Sequence, residues 1–313
     1  MSGARPVPET RSVVNETPWA TLRDAGARRL LVDAGLRLRV ADGFSHARSL
    51  AFVVSLLVIQ GVVAIVGTAS LLGRSGLGDA ARRIIQVTAP GAVGEALTTA
   101  VDQARSAGRS GSLVALGLAL TGSLVTATTG MGQVQRGLNR IYGIERDRPT
   151  MRKYGLALIL ALTSGGVITA AFICIALGDS LGQSIADNPL TPIWGAARIP
   201  AGIVLAAVAV TLLFRWCPRR RQPGWQWTMV GSGVAVLLWT LTTVALSQVF
   251  ALSPSFGDAY GPLAGIVALQ LWSILSSIAL LYGAAVSAQL EAVRVSQSYD
   301  DLARIPLGKD AIA

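Results

Sequence analysis

Residues 263–289 read LAGIVALQLWSILSSIALLYGAAVSAQ and contain no charged side chain. A helix needs about 20 residues to cross a hydrocarbon core of roughly 30 Å, so this stretch is long enough with residues to spare. Lipid offers no partner to its amides and carbonyls, so the backbone must satisfy them within a helix. Working back along the chain, five more apolar runs meet the same test, at 226–252, 194–216, 154–178, 112–132 and 49–72. The short alternating strands of a membrane β-barrel are absent. The fold class expected is all-α, a polytopic bundle of six transmembrane helices.

Composition agrees. Of 313 residues, 52% are hydrophobic and 14% charged, with a mean hydropathy of +0.54. A soluble domain carries about 25% charged residues. A water-facing globule, a disordered chain and a fibrous repeat are all excluded.

The net charge of +10 then has to be located. If residues 1–48 lie in the cytoplasm, 21 of the 27 Lys and Arg fall on that side, concentrated in 1–48, 133–153, 215–221 and the tail. The short outer loops near 179–193 and 253–262 have none. This bias predicts cytoplasmic termini in the plasma (inner) membrane, with basic segments beside anionic headgroups rather than nucleic acid. Three parts follow: a basic N-terminal segment 1–48, the membrane domain 49–289 and a tail 290–313. Residues 18–42 mix Trp19, Leu22, Leu30, Leu31, Leu36 and Leu38 with arginines, as a helix on the membrane surface would.

Two connections also carry helical periodicity. After Pro90, the residues Val93, Ala96, Leu97, Ala100, Val101 and Ala104 form one apolar stripe, with Glu95, Asp102 and Arg105 away from it. This amphipathic helix in the first outer loop either caps the bundle or forms a lid. On the inner side, Val134, Leu138, Ile141 and Tyr142 share a face opposite Arg136 and Arg140, and Asp147, Arg148 and Pro149 are expected to end that helix.

Little in the spans carries chemistry. They hold no Asp, Glu or Lys. Arg215 sits at an inner end and snorkels by the simplest reading. Arg198 either snorkels outward or draws anions into an outer vestibule. Gln60 and Gln270 are expensive to bury in lipid and are expected to face the interior, bonding a neighbour or lining a cavity. Trp272, two positions beyond Gln270, should then face another helix or lipid. Gly261 with Gly265, Gly231 with Ala235, and Ala284 with Ala288 have the spacing of close helix contacts. Trp194, Trp216, Trp225 and Trp227 fall at span ends, as an aromatic belt does. Cys174 and Cys217 should lie at different depths, too far apart to join. A single histidine, His46, and no nucleotide or hydrolase motif imply no metal, no cofactor and no enzyme.

The segments Leu138-Asn139-Arg140-Ile141-Tyr142-Gly143-Ile144 and Arg148-Pro149 form a distinctive inner loop. Pro218 and the pair Gly231 and Trp239 follow it in the fifth span. Tyr260-Gly261, Trp272 and Gly283-Ala284 follow in the sixth, and Ala47-Arg48-Ser49-Leu50-Ala51-Phe52 opens the first. Their order over 45–291 resembles the YihY/virulence factor BrkB family. That resemblance implies six-helix bacterial inner-membrane proteins with cytoplasmic ends, for which transport is the usual suggestion. The family once carried a ribonuclease BN label, which these residues do not support. An acidic residue and an Asn usual after the final Gly-Ala are replaced by Ala285 and Ser287, and the proline usual early in the first span is absent. Two functions are expected to compete: translocation of an unidentified solute or lipid, and a non-transporting scaffold that docks partners on basic cytoplasmic segments.

Overall fold

The computed structural model describes residues 7, 9, 17–71, 79, 82, 91–109, 113–184, 191–252 and 264–304. The elements among them are helices: α1 (Pro18–Ala25), α2 (Ala27–Val40), α3 (Gly43–Leu71), α4 (Gly91–Arg109), α5 (Leu113–Ile141), α6 (Thr150–Ser184), α7 (Thr191–Trp216), α8 (Trp225–Ala251) and α9 (Ala264–Arg304).

Five of these, α3, α6, α7, α8 and α9, are long and apolar enough to cross a membrane. The sixth expected span, 112–132, is helical within α5 but is not among them. Thr121, Gly122, Ser123, Thr126, Thr128, Thr129 and Gly130 dilute its hydropathy. Several of its hydroxyls turn back onto the helix, as Thr121 does to the Gly117 carbonyl and Thr128 to that of Leu124. A side chain of this kind hides its donor within its own turn.

The bundle is built around α9. Its apolar stretch is 44% covered by protein, against 22–28% for the other spans. It packs against α8, α3, α2, α4 and α5. Elsewhere α6 pairs with α7, α7 with α8, α5 with α3 and α6, and α4 with α3. On α3 the split is periodic: Ala47, Leu50, Ala51 and Ser55 are buried, while Phe44, Phe52, Leu56 and Ile59 are exposed. With no soluble shell over them, the exposed apolar residues form the lipid-facing surface.

Other boundaries differ from the sequence reading. Helix α5 runs unbroken from its apolar half through the inner segment and stops at Ile141, well before Asp147. Gly143 ends it at φ 74°, with its amide on the Arg140 carbonyl and the Ile144 amide on the Asn139 carbonyl at 2.8 Å. That pair of bonds closes a Schellman turn, which needs a left-handed residue glycine adopts without strain. At the other end of the chain, α9 has 41 residues, roughly 60 Å at 1.5 Å per residue, so it continues past 289 into the expected tail.

Helix α4 occupies the predicted amphipathic stretch. Leu97, Ala100 and Val101 are buried, and Glu95 and Asp102 exposed. It packs along α3 and α9, with ion pairs Arg82–Asp102 and Arg105–Asp79 on its open side.

Candidate functional site

Two polar groupings stand out in the bundle, apart from isolated contacts such as Thr211 with Ser232 at 2.7 Å. The first is a seam between α3 and α9. Ser55 on α3 donates to Gln270 Oε1 on α9 at 3.0 Å, and also contacts the Ala51 and Phe52 carbonyls. One turn on, Ser273 and then Ser277 occupy the same face of α9 as Gln270, because residues three and seven apart align on a helix. Both serines are buried, at 0% and 2% exposure, and neither hydroxyl finds a hydrogen-bond partner among the described residues. Away from this seam, where α3 meets α5, the Gln60 carbonyl accepts from Ser123 at 2.9 Å, and Gln60 Oε1 is buried without a partner among the described residues.

Both glutamines thus turn toward the protein, as their sequence setting requires. They do so separately: the Gln270 partner is Ser55, not Gln60. Trp272 points away and donates its indole N–H to Thr243 on α8 at 3.1 Å. Arg198, half-buried in α7, is remote in sequence from this seam, and its backbone carbonyl lies 3.8 Å from the Cys174 thiol.

The second place is a clasp at the basic end of the bundle, assembled by the loops after α5 and α7, the end of α9 and residue 7. Glu291 on α9 pairs with Arg220, and their side chains are only 1% and 3% exposed. The Arg220 guanidinium also stacks on Tyr142, 5.0 Å from the ring centre. Burial pushes the Tyr142 hydroxyl far above the usual phenol value and keeps it neutral. Arg37 reaches in from α2, giving Nε to Gln289 at 3.0 Å and a terminal nitrogen to the Ile141 carbonyl at 3.1 Å. Desolvation lowers its pKa, with Tyr142 and Glu291 acting in the opposite sense. The Val7 amide closes the arrangement on the Tyr142 carbonyl.

Beside this pair lies a second polar unit. Asn139 donates to Asp147 at 2.9 Å and accepts the Arg219 amide at 2.8 Å. Lys153 holds the other Asp147 oxygen at 2.5 Å, with Arg136 at 3.6 Å. Burial would raise the Asp147 carboxyl, but the bonds from Lys153 and Asn139 outweigh it and hold it below its ordinary value. Arg148 gives its guanidinium to the carbonyls of Cys217 at 2.5 Å and Pro218 at 2.8 Å, and more distantly to Trp216. These are among the open carbonyls at the end of α7, where a cation is favoured.

The sequence motif positions therefore have separate settings. Asn139, Tyr142, Arg148 and Pro218 meet in the clasp, and Pro149 leads into α6, its carbonyl accepting the Lys153 amide at 2.8 Å. Gly231 and Gly283 form the crossing of α8 and α9. Trp239 is half-buried on α8. Tyr260 and Gly261 lie outside the described residues. Ser287 and Ala285, the two departures from the usual pattern, are both buried on α9, and Ser287 donates to the Trp227 carbonyl at 3.3 Å. Trp227 is 2% exposed among the core side chains and so is not part of an aromatic belt. Trp216 and Trp225 do stay exposed, edge to face at 5.8 Å. Arg215 stacks over Trp225 and bonds the Pro223 carbonyl, so it braces the loop besides reaching outward.

Sequence reading passed over Arg37, Arg220 and Glu291. The signal available was Glu291 as the first acid after the sixth span, together with the run Arg219–Arg221. A cavity of about 420 Å³ also opens at this end, between Asp24, Arg29 and Asp33 on one side and Gln289 and Val293 on the other. Gln60, Gln270 and Arg198 do not line it.

Comparison with known proteins now bears on these features. The family model described as Virulence factor BrkB matches residues 36–304. The ribonuclease-like protein YfkH of Bacillus subtilis is 22% identical over 58% of this chain and 67% of its own length. The UPF0761 membrane protein Rru_A2625 of Rhodospirillum rubrum is 28% identical over 90% of this chain and 62% of its own. A UPF0761 membrane protein of Halorhodospira halophila is 28% identical over 63% of this chain and 43% of its own. The chain thus spans less than two thirds of both UPF0761 relatives. No solved structure matches.

Proposed function

The chain belongs to the Virulence factor BrkB family of membrane proteins, and we propose that it moves a solute or lipid across the bacterial inner membrane along the α3–α9 seam. The observation that carries this reading is the pair of buried hydroxyls on this seam, Ser273 and Ser277, which have no partner among the described residues. Each costs about 1–3 kcal/mol to leave unsatisfied in an apolar surround. A packing interface gains nothing from them, whereas a path for a polar group needs them. The seam offers neutral hydroxyls and amides, so it suits a ligand that requires hydrogen bonds without a counter-charge.

In this reading α5 is the sixth span. Gly130 meets Val53 of α3, Gly132 meets Tyr154 of α6 and Ser123 bonds the Gln60 carbonyl, so part of its polar and small-residue surface is covered by neighbouring helices. Both ends of the chain lie in the cytoplasm, on the strength of the Lys and Arg distribution, and the clasp closes the cytoplasmic side. The protein acts without catalytic chemistry. The ribonuclease-like name belongs to the Bacillus relative and brings no residue constellation with it.

The test is water access to the seam. Ser273→Cys and Ser277→Cys, each made in a background with Cys174 and Cys217 replaced, are exposed in sealed vesicles to a membrane-impermeant maleimide. Labelling from either side supports a translocation path. Absence of labelling from both sides, in a protein that still melts cooperatively, favours the scaffold reading.

A further inference from the structure

Helix α2 has two apolar faces, and the fold uses only one. Leu30, Ala34 and Leu38 are buried at 2% exposure or less and pack toward α9. On the opposite side Val32, Leu36 and Val40, spaced four apart, are 58%, 55% and 45% exposed. Arg28, Arg29 and Arg39 are exposed around this second stripe. On a helix, Arg28 and Arg39 fall to one side of it, while Arg29, at the mouth of the cavity and 3.9 Å from Asp33, lies between Leu36 and Val40 with its side chain 84% exposed. Arg37, which the sequence alone would group with them, instead turns inward to Gln289 and Ile141.

Two observations say what covers the open stripe. First, it continues along the chain into an established lipid face. Past the turn at Ala41 and Asp42, the exposed series resumes on α3 with Phe44, Arg48, Phe52 and Leu56, again four apart. Second, α2 packs along the last turns of the sixth span. The Tyr282 hydroxyl donates to the Leu31 carbonyl at 2.9 Å, and the Tyr282 ring lies beside Gly35. An exposed apolar stripe beside the end of a span meets headgroups and the first methylenes of the acyl chains, with arginines at its edge to meet phosphates.

We infer that α2 is an interfacial helix embedded in the leaflet at the basic end of the bundle, and that Arg28, Arg29 and Arg39 form a binding site for anionic phospholipid. The stripe fixes the depth of the helix and the arginines select the headgroup. Because α2 is bonded to α9 through Arg37 and Tyr282, lipid bound there also holds the end of the sixth span. This inference does not depend on whether the protein transports anything.

The experiment uses the full chain, one copy per nanodisc, with Cys174 and Cys217 replaced. A Leu36→Cys variant carries an environment-sensitive fluorophore, and an Arg23→Cys variant, on the exposed side of α1, serves as reference. The expected result is a blue-shifted emission at position 36, quenched by lipids brominated near the headgroup and shielded from aqueous iodide. The reference shows the reverse. Native mass spectrometry of the unlabelled protein should show retained phosphatidylglycerol in preference to phosphatidylcholine. Arg28→Gln/Arg29→Gln/Arg39→Gln should abolish that preference while the melting transition persists. Iodide quenching at 36 equal to the reference overturns the embedded helix. Retention of phosphatidylglycerol unchanged by the three substitutions overturns the binding site. A blue shift seen only when two copies share a disc overturns the lipid as occupant and points to a second copy.

Discussion

Gly231 and Gly283 stand backbone to backbone where α8 crosses α9. A Cβ built on Gly231 would collide with the Gly283 carbonyl and the Ser287 hydroxyl. A Cβ built on Gly283 would lie 2.5 Å from both the Gly231 carbonyl and the Ala235 side chain. The contact is reciprocal, so neither helix can retreat without opening the other's packing. Between helices in a membrane, where apolar surface gains little by leaving lipid, such close approach supplies much of the attraction.

Gly231→Ala and Gly283→Ala should each lower the melting temperature in detergent, with a cost of about 1–3 kcal/mol typical of overpacking. Gly233→Ala, in the same helix but with open space around its Cβ position, should be neutral or mildly stabilising. Equal melting of all three variants would show that the crossing is not tight.

The Arg220–Glu291 pair should behave as a buried unit. Glu291→Gln or Arg220→Met alone removes one half of this buried pair, at about 3–5 kcal/mol. The double variant Arg220→Met/Glu291→Leu should recover much of that loss. A double-mutant cycle read by thermal melting checks the coupling, and additive losses would show that the two residues act independently.

Acid should loosen the second polar unit of the clasp. The folded protein holds the Asp147 carboxyl below its ordinary value. Its contribution to stability is therefore complete above the unfolded value and is lost as pH falls through the lowered folded one. Asp147→Asn should melt lower than the parent at neutral pH and lose less on acidification. Parallel pH profiles for the two proteins would remove Asp147 from the account.

Trp272→Phe should cost roughly 0.5–1.5 kcal/mol through the lost bond to Thr243. In a Thr243→Val background the same change should cost less, because the partner is already gone. An undiminished cost there would mean that the indole contributes by packing alone.

Much of this architecture was legible in the chain. Length, hydropathy and the absence of charge in 263–289 required a spanning helix, since lipid leaves backbone groups no other solution. The inner face of Val134, Leu138, Ile141 and Tyr142 could be read from its period alone, and all four residues are buried. The pairing of Gly231 with Ala235 could be read as a close-packing face, though not the partner it meets. Gln270 was identifiable as an inward residue by the cost of an unsatisfied amide in lipid, and Ser55 meets it.

What the sequence by itself determined is that the chain is an all-helical membrane protein and which faces of its helices are apolar, because period and polarity act within one helix and are written along it. Tertiary structure alone decided which polar groups meet. Glu291 reaches Arg220 across 71 residues of chain and Arg37 reaches Gln289 across 252, and no local pattern encodes either pairing. It also decided that α5 runs on without a break to Ile141, that Trp227 is buried in the core, and that α9 is the covered centre of the bundle. Each of these depends on how helices distant in sequence pack side by side. A buried charge is tolerable only where such packing delivers its partner.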